Sequence, residues 1–146
     1  MDARELAARV GASLFSVDRA SKDLLQMELL CCEPGRAVMR MEVREPMLNG
    51  HQICHGGLIF ALADSTFAFA CNSRNLASVA AGASIEFLQP AQLGDVLSCE
   101  GVEQVVQGRH GVYDMRVSNQ RGETVAMFRG KSAQLRRAVL PGGDAQ

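Results

Sequence analysis

The chain has 146 residues, 47% of them hydrophobic and 21% charged. That length holds one domain with a sizeable core, read as a single unit over residues 1–146. Fifteen Lys and Arg nearly balance sixteen Asp and Glu, with no basic half or stripe, so nucleic acid is not an expected partner.

The N-terminal "MDARELAARVGAS" is charged and amphipathic and lacks the apolar centre of a leader. The longest nearly apolar run, residues 58–71, falls short of the roughly 20 residues of a bilayer span, and Asp64 interrupts it. The five cysteines (Cys31, Cys32, Cys54, Cys71, Cys99) follow no framework spacing. The expectation is a cytoplasmic protein with reduced, mostly core-filling thiols and no membrane partner.

Residues 3–10 read as a short helix. Ser16 and Asp18 are candidate caps for a second one ending near Leu24 or Leu25. Together they form a helical extension over residues 1–25. Residues 26–33 and 37–43 read as strands joined by the turn "EPGR", a hairpin. Residues 44–55 form an irregular loop around Pro46. From Gly56 to about Ser73 nearly every position is apolar or small, which predicts a helix buried on most sides.

Four strands follow, over residues 77–88, 96–106, 112–119 and 123–135. "QPAQLGD", "QGRHG" and "NQRGE" separate them, and links this short favour antiparallel neighbours. The tail, residues 137–146, is expected to fray. One long helix and five or six strands make an α+β domain, an antiparallel sheet curled around the helix. The part of the helix left bare, and the exposed sheet edge, call for a second copy of the chain.

The chemistry concentrates in "MLNGHQICHGGLIFALADSTFAFACNS", residues 47–73. A carboxylate in an apolar helix is costly unless paired or hydrogen-bonded; a local bond to Ser65 or Thr66 is the plain structural account of Asp64. His51, Cys54 and His55 lack a fourth ligand for zinc, so no metal is expected. Cys54 and His55 are sequence neighbours, a poor geometry for a nucleophile and its base. Gly56 and Gly57 offer a helix start with free amides at the positive end of the dipole, where a carbonyl oxygen can approach closely. That is oxyanion-hole geometry. Asp64 lies eight residues on, roughly 12 Å along the axis, too far to serve the same carbonyl. Two antiparallel helices related by a two-fold axis solve this: the Gly56 end of one chain faces Asp64 of the other, giving sites at a dimer interface.

This stretch, with "SIEFLQPAQLGD" and "GVYDMRVSNQRGETVAMFRGKS", resembles the hot-dog fold acyl-CoA thioesterases, closest to the phenylacetate-degradation (PaaI/PaaD-type) branch. The resemblance covers most of the chain after Leu25. It implies a hot-dog fold, a homodimer and commonly a homotetramer, and hydrolysis of an acyl-CoA thioester with no cofactor, since CoA is part of the substrate. By resemblance, Asp64 is the catalytic carboxylate and Gly56 gives its N–H to the thioester oxygen. Asn49 orients the water or the thioester, and His55 supports the carbonyl end. The substrate implied is phenylacetyl-CoA or a hydroxylated form. Ile53, Leu58 and Ile59 are where the acyl pocket is expected to vary, and Phe60, Phe67 and Phe69 are either pocket wall or plain core. Candidate partners for the CoA phosphates are Arg74, Arg109, Arg129, Lys131, Arg136 and Arg137, with Arg129 and Lys131 on one face of a strand. Asp64 acts either as base or as nucleophile. A non-catalytic acyl-CoA binder and a hot-dog hydroxyacyl thioester dehydratase are the alternatives.

Overall fold

A computed structural model describes residues 1–141. The first helix, α1 (Ala3–Val17), is capped by the Asp2 carboxylate, which accepts from the Glu5 amide at 2.8 Å. It runs well past the expected stop at Val10 because Gly11 is a packing glycine, not a terminator. A Cβ there would lie 2.7 Å from the Cβ of Cys32, so α1 lies flush on the first strand. Ser16 sits inside α1, while Asp18 caps a π-helical turn, Ala20–Leu24, by accepting from the Ser21 amide.

Strands β1 (Glu28–Glu33) and β2 (Arg36–Glu42) form the expected hairpin. The 44–55 loop holds a single 3₁₀ turn, Glu45–Met47. Helix α2 (Gly56–Asn72) follows, then β3 (Leu76–Phe87), β4 (Val96–Gln107), β5 (His110–Ser118) and β6 (Thr124–Ala138). The six strands form one antiparallel sheet that packs around α2. The core fills the space between, with the Phe67 ring set against Tyr113 and Phe128.

The sheet order is β1-β2-β4-β5-β6-β3, so β3 and β4 are not the neighbours that their short link suggested. The composition explains it. In β5, and in β4 from Leu97 to Gly101, buried residues alternate regularly, whereas β3 is rich in Ala, Ser and Gly and exposed from Val79 to Ser84. Central places go to strands with more to bury. The link, residues 88–95, instead passes the ends of β5 and β6, about 14 Å away, well within its reach. It is pinned on the way: the Cys54 amide donates to Ala91 O and the Gly94 amide to Val43 O. The link therefore lies across the start of α2.

Two further expectations change. The N-terminal extension covers part of α2 itself, through the Phe15 and Phe69 rings (centroids 6.1 Å apart) and a Ser21–Ser65 hydroxyl pair at 2.9 Å. Less of α2 is bare than its composition implied. Residues 137 and 138, expected in the frayed tail, end β6, and the Leu140 amide donates to Asn75 Oδ1 at 2.7 Å. The rest of that tail, residues 142–146, lies outside the described residues. All five cysteines are free, and no helix among the described residues is long and apolar enough to cross a membrane.

Candidate active site

Helix α2 starts where the chain leaves an extended residue, His55 (φ −60°, ψ 130°). The His55 ring turns back as the N-cap: Nδ1 accepts from the Gly57 amide at 3.0 Å. As an acceptor Nδ1 carries no proton, so the neutral ring holds its proton on Nε2. The Gly57 amide, expected to be free, is thereby used. The His55 carbonyl takes the amides of Leu58 and Ile59. The Gly56 amide has no partner among the described residues, so one free donor remains at the positive end of a 17-residue helix.

Asn49 belongs to the loop in front. Its side-chain oxygen accepts from the His51 and Ile53 amides, and its own backbone pairs with Ile53 and Gln52. With the oxygen committed to the loop, Nδ2 is the end left for a ligand. Asn49 and Gly56 line one cavity of about 310 Å³, together with Ile53, Cys54, Ile59 and the run Phe87 to Pro90. One wall is thus the end of β3 and the start of the link pinned by Cys54. Burial pushes the Cys54 thiol up to about 11, so at neutral pH it is no thiolate nucleophile.

Asp64 lies on the same helix but away from this cavity. It is half-buried, makes no hydrogen bond or ion pair among the described residues, and burial alone raises its carboxyl above the ordinary value. The local partners offered by the sequence are occupied elsewhere: Thr66 Oγ1 donates to Leu62 O, and Ser65 pairs with Ser21. A carboxylate in this state is a stronger base than a surface one.

None of the candidate cations lines the cavity. Arg129 makes two bonds to Asp114, at 2.6 and 2.8 Å, Arg74 is paired with Glu103, and Arg109 donates to Gln134 O. Arg129 and Lys131 do share the exposed face of β6, opposite buried Phe128 and Gly130. Among the described residues, no three His, Cys, Asp or Glu side chains gather as a metal site.

The sequence matches the thioesterase superfamily over residues 51–126. The chain belongs to that family. It is 43% identical to the acyl-coenzyme A thioesterase PaaI of Escherichia coli (strain K12) over 123 residues, 84% of this chain and 87% of that one. Its fold superposes on the solved E. coli PaaI protein from the phenylacetic acid degradation operon with a TM-score of 0.91 and 39% identity, over 94% of this chain and 99% of that one. A Streptococcus mutans protein solved bound to acetyl CoA is similar at a TM-score of 0.74 and 27% identity, over 77% and 90% of the two chains.

As a hot-dog thioesterase, the chain places its family-matched segment across α2 and the cavity wall, with Asn49 just before it and Arg129 and Lys131 just after. Of the expected pocket residues, Ile53 and Ile59 line the cavity; Leu58 does not. Phe67 and Phe69 are core, and Phe60 packs on Phe128. The aromatic at the cavity is Phe87, which sequence reasoning passed over. Strand parity was the available signal. Ile85 packs on the core, so Phe87, two residues on, points to the same side.

Proposed function

We propose that this thioesterase hydrolyses acyl-CoA to the free acid and CoA, at sites where the Gly56 amide of one chain and Asp64 of a second meet. The observation that carries the reading is a pair of unsatisfied groups. A free amide and a half-buried, unpartnered carboxylate stand eight residues apart on one helix, about 12 Å apart. Each lacks what the other would complete. The edge strand supports a second copy as well. From Val79 to Ser84 β3 is exposed on both faces, and its outer edge is unpaired among the described residues, a condition that favours pairing with another chain. A pair of such dimers, as the resemblance implies, makes the tetramer.

The chemistry follows from the charges. Water adds to the thioester carbon and the electron pair moves onto oxygen, where the Gly56 N–H and the helix dipole stabilise it. Asp64 takes the proton of the attacking water. The tetrahedral intermediate then breaks its C–S bond, and the thiolate leaves without a strong general acid. In the alternative route an Asp64 oxygen attacks first, the thiolate leaves, and water opens the mixed anhydride. Asn49, through Nδ2, holds the water or the carbonyl. His55 acts indirectly, by capping Gly57 and leaving the Gly56 amide free.

The acyl group is an aryl-acyl, of the phenylacetyl or hydroxyphenylacetyl type. This rests on the likeness to PaaI and on a cavity at the small end of the range for ligand sites, roughly 300–1,000 Å³. The CoA arm extends outside it, with Lys131 the candidate phosphate contact. A thiol-release screen of aryl and alkyl acyl-CoAs tests the reading. Turnover on aryl-CoAs, lost in Asp64→Ala, is expected; no thiol release from any of them sinks it. Of the five cysteines only Cys31 is partly exposed, so the protein's own thiols add a fixed signal, not turnover. A single turnover in heavy-oxygen water separates the routes, since label enters Asp64 only through the anhydride.

A further inference from the structure

On β3 the residues opposite Gly130, Phe128 and Ala126 are Ala83, Ile85 and Phe87. All three partners on β6 are buried, so this is the core-facing side of the sheet. Ile85 joins the core there, but Phe87 does not: it is 52% exposed. A large aromatic on the inner face that the core leaves half uncovered has unused contact surface. Its position says for what. The tip of the ring lies over the helix start, with Cζ 3.2 Å from where a Cβ on Gly56 would stand, and Cε1 and Cε2 at 3.5 and 3.7 Å. Phe87 thus sits beside the one free amide of α2 and shares a wall with Ile53, Ile59 and Leu88.

We propose that Phe87 is the specificity-determining residue of the acyl site, and that its ring selects flat aromatic acyl groups over alkyl chains by stacking against them. This deepens the thioesterase reading of the site and rests on it. With the carbonyl oxygen on the Gly56 amide, the acyl group extends along the wall that Phe87 forms. An alkyl chain and an aryl group bury similar apolar area there. Only the aryl group gains the offset-stacked or edge-to-face attraction of two rings, which favours it by about 2- to 13-fold. The half-exposed ring keeps a free surface for that contact.

The test is the ratio of kcat/KM for phenylacetyl-CoA to that for octanoyl-CoA, acyl groups of equal carbon count, in wild type, Phe87→Leu and Phe87→Tyr. Because both substrates are measured on one preparation, any loss of folded protein cancels. The ratio is expected to fall about 2- to 13-fold in Phe87→Leu and to stay near the wild-type value in Phe87→Tyr, which keeps the ring. An unchanged ratio in Phe87→Leu, or an equal fall in Phe87→Tyr, overturns the inference while leaving the thioesterase reading standing. A wild-type protein that releases thiol from neither substrate overturns both.

Discussion

Asp64→Asn separates activity from stability, because the same burial acts on both. The substitution keeps the side chain's shape and removes its charge and basicity. Loss of a positioned general base costs about 10²–10⁴ in rate, which is about 3–5 kcal/mol of transition-state stabilisation. Stability is expected to move the other way. Burial holds the Asp64 carboxyl above its ordinary 3.8, with no compensating partner among the described residues. The folded chain therefore holds this proton more tightly than the unfolded one. Its contribution is fully favourable below the unfolded pKa and is lost as pH rises through the higher folded value. At neutral pH the wild type carries a half-buried charge, without a partner among the described residues of its own chain, that the asparagine variant lacks. Thiol release and thermal unfolding over a pH series are the assays. The variant is expected to be inactive with a Tm at or above wild type at neutral pH, and the gap should close on acidification. Wild-type-like turnover, or a variant whose Tm deficit at neutral pH disappears in acid, would refute the reasoning.

Two further outcomes follow from the site. His55→Leu removes the cap on Gly57 and is expected to cost about 0.5–1 kcal/mol, a Tm loss of a few degrees, whereas His55→Asn keeps an acceptor there; equal Tm values for the two would remove the capping role. Lys131→Ala is expected to raise KM for acyl-CoA by up to about fivefold, a surface charge contact of about 1 kcal/mol, and more than Arg129→Ala does, because Asp114 already holds Arg129. The order is read from KM at low salt, and a larger effect at Arg129 would reverse the assignment.

The sequence made the elements legible because each carries a local signal. The apolar run 58–71 marks α2, and the turns "EPGR", "QGRHG" and "NQRGE" mark three strand ends. The proposed pairing of Gly56 with Asp64 of a second chain starts from spacing, since eight helical residues exceed the reach of one site. What was not legible depends on contacts distant in sequence. The edge place of β3 follows from what β4 and β5 bury, and a link length carries no trace of that. Nothing in the sequence distinguishes the Gly57 amide from that of Gly56; the folded-back His55 ring does. Arg129 looked like a free cation because its partner, Asp114, lies on the adjacent strand.

The central claim is that each active site takes its amide from one chain and its carboxylate from another. Mixing Asp64→Ala chains with Gly56→Pro chains tests it most directly. Proline removes the amide and is well tolerated at the first position of a helix, and His55 before it is already in the extended conformation that precedes proline. Each parent alone is expected to be inactive. A mixed dimer rebuilds one intact site of its two, so random re-pairing of equal amounts is expected to restore about a quarter of wild-type activity. Mixed dimers that form and remain as inactive as their parents would contradict the shared site.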